Sequence, residues 1–335
     1  MRKLNVGVIG VGVFGENHAR IYAESDKTNL IGVADLNEKR AETIAKKYSA
    51  KFSFTDYNRL LERDIDAVSI VLPDFAHKKP CIEAAKAGKH ILVEKPLATN
   101  SEDAQEIIAA VKENDVRLMV DFSNRWNPPF VQAKNMIEKD ELGEILHINI
   151  RLNDTIWVPT EMLSWSDKSS VLWFLGSHSF DLCRWLLQSE VKNIKSITSK
   201  KLLKREFAID TQDFYLSTLQ FQNGTIVQME NNWVLPKAAP TVFEFNAKII
   251  GTKGMLKIDT SHNRCLEKYT NKEHVYPDLL CITEGRKKLR GFNVDSINHF
   301  VECLIKEEEF DVLLDEGLIV TEVLEKIEKE AILVE

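Results

Sequence analysis

The run Leu4-Asn5-Val6-Gly7-Val8-Ile9-Gly10-Val11-Gly12-Val13-Phe14-Gly15 decides the fold. Its first half, Leu4–Ile9, reads as a buried strand. Its second half spells G-x-G-x-x-G and opens a helix from Val13 to about Ala23. Strand, glycine turn and helix in that order are what a dinucleotide-binding turn requires. Gly10 permits the tight turn, Gly12 lets the backbone approach a pyrophosphate, and Gly15 lets helix and strand pack closely. The amides of Val13 and Phe14 then point at phosphate from the helix N-terminus. Asp35 ends the next strand, 20 residues beyond Gly15, where a carboxylate accepts hydrogen bonds from the adenosine ribose. Such a carboxylate repels a 2′-phosphate, so NAD is the expected cofactor, with NADP the alternative because Arg40 stands nearby. Asp35 also reads as a residue that starts the following helix.

Working outward, strands and helices alternate to about residue 121. Leu30–Ala34, Phe52–Phe54, Ala67–Leu72, His90–Val93 and Leu118–Val120 are apolar strand runs. Between them Ala41, Ile44, Ala45 and Tyr48 follow helical spacing. Ile82, Ala85 and Ala87 lead to a helix end at Gly88. Asn100 or Ser101 caps a helix running to Glu113. Strands buried on both faces and joined by helices make a parallel α/β sheet, a Rossmann domain over residues 1–122. From 123 to 335 the pattern becomes α+β, with a largely antiparallel or mixed open sheet. Asn127-Pro128-Pro129 starts a helix. Phe214–Gln222 and Thr225–Trp233 flank Asn223-Gly224, a hairpin turn. Phe243–Ile250 and Met255–Ile258 flank Gly251-Thr252-Lys253-Gly254. Helices Asp295–Lys306 and Glu316–Glu330 are expected to finish the chain.

The 335 residues are 44% hydrophobic and 28% charged, with a net charge of −7. No long basic run is present, so nucleic acid is not an expected partner. The short cluster Arg286-Lys287-Lys288-Leu289-Arg290 reads as a solvated loop. The most apolar later stretch, Val171 to Leu187, carries His178, Asp181 and Arg184, which argues against a membrane span. No signal-peptide pattern follows Met1-Arg2-Lys3. Cys81, Cys183, Cys265, Cys281 and Cys303 are scattered without a CxxC, as expected for reduced thiols in a cytoplasmic protein. His18 reads as surface or packed. His147, His262, His274 and His299 are dispersed, and no metal site is expected.

Glu94-Lys95-Pro96 follows the strand His90–Val93, at the edge where open α/β sheets gather ligands. Lys95 either reaches a cofactor or substrate there or is an exposed charge. Together Gly10–Gly15, Asp35, Leu72-Pro73-Asp74-Phe75-Ala76-His77, Ala87-Gly88-Lys89-His90 and Glu94-Lys95-Pro96-Leu97-Ala98 resemble the Gfo/Idh/MocA family, the glucose–fructose oxidoreductase, inositol dehydrogenase and MocA-like group. Asn124-Arg125-Trp126-Asn127-Pro128 is similar to that family's domain-junction segment, and Gly176-Ser177-His178-Ser179-Phe180-Asp181 to its substrate-domain histidine motif. The resemblance covers nearly the whole chain and thins after residue 190.

This resemblance implies an NAD(P)-dependent oxidoreductase moving a hydride between nicotinamide and a secondary alcohol or ketone of a sugar, cyclitol or nucleotide-sugar. Lys95 would hydrogen-bond the reacting oxygen, stabilising a developing alkoxide, and His178 would be the general acid/base. Leu72, Pro73, His77, Glu94 and Asn124 would border the cofactor, with Arg125 and Trp126 near the substrate. A homodimer or homotetramer is implied too. Trp157, Trp165 and Trp173 gather around a polar loop before His178, and Trp165 is the candidate for packing on a ring. One position departs from the family: Phe174 stands four residues before His178, where many members carry Asp. Asp181 is then a substrate contact sharing the His178 face, or a structural partner of Arg184. His178 as a merely buried histidine, and the chain as a non-catalytic NAD(P)-binding regulator, are the alternatives.

Overall fold

Six short apolar strands build the first sheet of the computed structural model, which describes residues 2–261, 266–272 and 274–334. His262 and Cys265 lie outside the described residues. The strands are β1 (Leu4–Ile9), β2 (Thr28–Ala34), β3 (Phe52–Phe54), β4 (Ala67–Ile70), β5 (His90–Glu94) and β6 (Leu118–Asp121). They lie in the order β3-β2-β1-β4-β5-β6, all parallel. The crossovers carry α1 (Val13–Glu24), α2 (Glu38–Lys47), α3 (Tyr57–Leu61), α4 (Lys78–Lys86) and α5 (Ser101–Glu113). Val8, Val33, Val68, Ile70, Leu92 and Val93 are wholly buried, each worth about 1.5–3 kcal/mol on folding. Asn37 and Asn100 cap α2 and α5, accepting from the Arg40 and Asp103 amides at 3.1 and 2.8 Å, about 1 kcal/mol apiece. The chain runs outward from β1 to β3, then returns to β4 on the other side of β1. The strand order therefore reverses between β1 and β4, and their carboxyl ends bound a crevice.

Contacts divide the chain into two units: residues through Phe122 with Glu284–Thr321, and Ser123–Thr283 with the residues from Glu322 onward. The expected division kept everything after residue 123 in one domain, whereas Glu284–Thr321 returns to the first unit. The reason is the edge strand β6, which needs a cover. The helix Phe292–Lys306 buries Phe292, Val294, Ile297, Phe300 and Val301. Arg117 donates to the Cys303 carbonyl at 3.0 Å and lies 4.1 Å over the Phe310 ring. Helical spacing predicts that helix without saying which sheet it covers.

The second unit carries α6 (Pro128–Glu138), β7 (Ile145–Asp154), α7 (Ser177–Leu187), β8 (Val191–Ser199), β9 (Phe214–Phe221), β10 (Ile226–Asn232), β11 (Phe243–Gly251) and β12 (Met255–Asp259). Its mixed sheet runs β12-β11-β7-β10-β9-β8, followed by a short terminal strand, Ile332–Val334. That strand, parallel to β8, follows the helix Leu314–Glu330 that was expected to close the chain. β7 and β10 are also parallel, and the remaining neighbours antiparallel. Ile148, Ile150, Leu152, Leu219, Val227, Met229 and Ile249 face inward. Arg151, Gln228 and Lys248 face outward, exposed. Among the described residues no helix is long and apolar enough to cross a membrane.

Gly15 is the most tightly enclosed of the described glycines: a Cβ there would sit 1.8 Å from the Gly10 carbonyl oxygen, a backbone atom. Gly15→Ala should lose about 3 kcal/mol or fail to fold. A denaturant midpoint matching the parent would refute this packing.

Candidate active site

The turn after β1 contains three glycines under different constraints. Gly10 has φ +84°, and a Cβ there would lie 2.2 Å from the Val71 carbonyl. Gly10 and Gly15 are therefore demanded by the fold itself. A Cβ on Gly12 meets nothing within 4 Å. Helix α1 starts at Gly12 with no side chain capping it. Val13, Phe14, Leu36 and Phe75 are large apolar side chains left 70%, 41%, 94% and 39% exposed, and Leu72 and Pro73 are half-buried. Asp35 accepts from the Val11 amide at 3.0 Å and the Asn37 amide at 2.8 Å, with Arg40 Nη1 at 3.4 Å. Because Asn37 is the cap of α2, Asp35 is not needed for that task. An open backbone at an uncapped helix start, a carboxylate at the next strand end and an apolar rim fit a dinucleotide.

Lys95 is half-buried and directly follows β5. Its loop is braced by His77, whose Nδ1 lies 2.8 Å from the Pro96 carbonyl and Nε2 3.0 Å from the Leu72 carbonyl. Expected at the cofactor border, His77 is instead 1% exposed and ties two loops together. Burial pushes its imidazole below the ordinary value. Glu94 points inward as well: its Oε1 is 3.2 Å from His18 Nε2. Sequence reasoning missed His18 and Asp121 and expected no cluster of ligand-type side chains. The structure gathers His18, Glu94 and Asp121 with their polar atoms within 4.8 Å of one another. A signal existed: His18 shares the buried stripe of α1 with Ala19 and Tyr22, and Asp121 ends a fully buried strand.

In the second unit, a π-helical turn, Leu172–Gly176, runs into α7. Such widened turns collect at functional sites. From Val171 to Cys183 only Phe174 and His178 escape full burial. They are one helical turn apart, on the same face. Asn124 Nδ2 lies 3.2 Å from His178 Nδ1, and Asn127 Nδ2 donates to Asn124 Oδ1 at 3.3 Å. An amide N–H donated to Nδ1 puts the imidazole proton on Nε2. Phe174 packs edge-on to Trp165, centroids 6.1 Å apart, and tilted against Trp233 at 6.4 Å. Trp126 is half-buried beside Asn124 in sequence. Trp173 is buried, its indole donating to Glu328 at 3.1 Å.

Two expected substrate residues are instead joined to each other. Arg125 Nε and Nη2 donate to the two Asp181 oxygens at 3.0 and 2.6 Å, with side chains 3% and 1% exposed. Asp181 thus takes Arg125 as a partner that neither proposal named, and Arg184 pairs with Glu190 at 2.7 Å. A bidentate pair this deep fixes the start of α6 to α7. Helical spacing counts neighbours along α7 and cannot see an arginine arriving from residue 125.

Comparison with known proteins identifies the family and the fold. The model of an oxidoreductase family with an NAD-binding Rossmann fold matches residues 4–122, and the GFO/IDH/MocA C-terminal domain matches residues 130–257. Scyllo-inositol 2-dehydrogenase (NAD(+)) of Bacillus subtilis is 27% identical over 310 residues, 90% of this chain and 86% of that protein. Levoglucosan dehydrogenase of Pseudarthrobacter phenanthrenivorans is 28% identical over 264 residues, 69% of this chain and 67% of the relative. The structure of apo scyllo-inositol dehydrogenase from Lactobacillus casei has the same fold, with a TM-score of 0.85 at 18% identity, covering 98% of this chain and 96% of that one. With both domains matched to one family, the chain belongs to the GFO/IDH/MocA oxidoreductases and carries their NAD-binding Rossmann fold.

Proposed function

We propose that the chain is a dehydrogenase acting on a secondary alcohol of a cyclitol or sugar ring, or on the corresponding ketone. The observation that carries this reading is the placement of Lys95 at the end of β5, on the carboxyl edge that also holds the open turn at Gly12. NAD, when bound, exchanges a hydride with the ring carbon. Gly12, Val13 and Phe14 would hold its pyrophosphate and Asp35 its adenosine ribose. The Lys95 ammonium hydrogen-bonds the reacting oxygen, so that the charge developing as the hydroxyl loses its proton is stabilised. His178 handles that proton at Nε2.

Accepting a proton there requires the other tautomer, with hydrogen on Nδ1. Once the ring proton has exchanged from Nε2 to Nδ1 through water, a half-turn of the Asn124 and Asn127 amides accommodates it. Asn124 Oδ1 then accepts from Nδ1–H, and Asn127 Oδ1, buried without a hydrogen-bond partner, accepts from Asn124. The half-buried rings of Phe174 and Trp165 suit the C–H face of a saturated ring. The names of the relatives, inositol and levoglucosan dehydrogenases, favour this enzymatic reading over a non-catalytic regulator. We also infer a homodimer or homotetramer, formed through the outer sheet face where Ile197 and Leu216 are 43% and 46% exposed and paired in register.

Lys95→Ala should lower kcat/KM on the preferred cyclitol by about 10²–10³ while NAD still binds by calorimetry; wild-type turnover in that variant would remove Lys95 from the chemistry. Gly12→Ala should melt like the parent and yet bind NAD more weakly by roughly tenfold or more, since the added methyl fills only the open space. Unchanged affinity would place the cofactor elsewhere. Light scattering should give two or four times the 38.3 kDa chain mass, and a monomer would refute the assembly.

A further inference from the structure

Two carboxylates and an imidazole are packed behind Lys95, in a sheet otherwise built largely of aliphatic side chains. Glu94 and Asp121 end the adjacent strands β5 and β6, where they pair in register. His18 approaches both from α1, its Nε2 3.2 Å from Glu94 Oε1 and 4.0 Å from Asp121 Oδ2. The other ring nitrogen lies 3.2 Å from Ser69 Oγ, which is 2.6 Å from the Tyr22 hydroxyl. Ser296 donates to Asp121 Oδ1. The side chains of His18, Asp121 and Glu94 are 4%, 3% and 17% exposed. With both acids ionised and the imidazole neutral, two negative charges would stand together out of water, an arrangement that proteins relieve by binding a proton. One proton leaves a single negative charge, which matches the ammonium of Lys95.

We propose that His18, Glu94 and Asp121 share a proton and act as a positioning cluster for Lys95, fixing Glu94 and giving the lysine loop one compensating negative charge. The proposal rests on the reading of Lys95 as the group that meets the reacting oxygen. The charged and titratable neighbours are Lys95 itself, His77 with Asp74 beside it, and Tyr22 beyond Ser69. Burial, reinforced by the Glu94 charge, pushes the Asp121 carboxyl up to about 7, against the pull of His18, the Ser296 hydroxyl and Lys95. Burial also raises Glu94, but the hydrogen bond from His18 and the nearby Lys95 ammonium hold it below the usual carboxylate range. Asp121 is therefore the member that gains and loses the proton near neutrality. Its folded value lies above its unfolded one, so this group weakens folding as pH rises from about 4 to about 7.

Infrared spectroscopy of the full chain between pH 5 and 9 tests this directly. The parent should show the carbonyl stretch of a buried neutral carboxyl that fades as pH rises through neutrality. Asp121→Asn should lack the band, lose the limb near neutrality from the kcat/KM profile, and lose less thermal stability than the parent between pH 5 and 8. Ser296→Ala removes a donor that favours the ionised acid, so the band should persist to a pH higher by roughly one unit. This variant serves if Asp121→Asn does not fold. A band unchanged in Asp121→Asn, or superimposable pH profiles, overturns the proposal. Stoichiometric zinc or manganese in the purified protein, detected by mass spectrometry, overturns it too, because the same three groups would then be metal ligands. Full activity in Lys95→Ala sinks the underlying reading of the lysine. Loss of activity there combined with unaltered behaviour of Asp121→Asn sinks only the cluster.

Discussion

The close approach of Gly15 to the Gly10 carbonyl is the constraint on which the first unit depends. It sets where α1 begins and how tightly that helix lies on β1 and β4. Once α1 lies there, His18 is carried inward to Glu94 and Ser69, and the uncapped helix start is left at the crevice between β1 and β4. One side-chain atom at position 15 would lift the helix away and disturb both arrangements together. The uncapped helix start and the core packing are thus joined through a contact between two backbones, where no adjustment of rotamers gives relief.

The second unit solves a different problem, holding a half-buried histidine in the otherwise buried first turns of α7. The Arg125–Asp181 pair anchors α7, and breaking one side of such a pair costs about 3–5 kcal/mol because the other charge is left stranded. Asn124, the residue before that arginine, is placed against His178 by the same anchor. Orientation of the imidazole therefore depends on an ion pair that itself never reaches solvent. Phe174 fills the neighbouring half-buried position, one turn before His178, with an aromatic edge.

The strand runs, the glycine turn, the hairpin at Asn223-Gly224 and the caps at Asn37 and Asn100 were legible in the sequence because each is fixed by local sterics or by a period of two or 3.6 residues. Asp35 and Lys95 were legible through their distance from a strand end. What stayed hidden was long-range pairing. His18 meets Glu94 across 76 residues, Arg125 meets Asp181 across 56, and Ser296 meets Asp121 across 175. No periodicity encodes such meetings. His77 illustrates the same limit: its place beside the crevice could be read, but its orientation toward two carbonyls depends on how the loops fold over it. The π-turn before His178 was equally invisible, since nothing in Leu172-Trp173-Phe174-Leu175-Gly176 distinguishes a widened turn from an ordinary one.

The first unit leaves the chain at Phe122 and resumes at Glu284, with about 160 residues between. At ribosomal speeds of about 5–20 residues per second, roughly 8–30 s separate the emergence of β6 from that of the helix that shields it. Through that interval Asp121 lacks Ser296 and Arg117 lacks the Cys303 carbonyl, so a nascent chain presents a naked sheet border. Holding chaperones have their natural window there, and a stalled or truncated product ending before residue 284 carries an adhesive edge that the finished molecule hides.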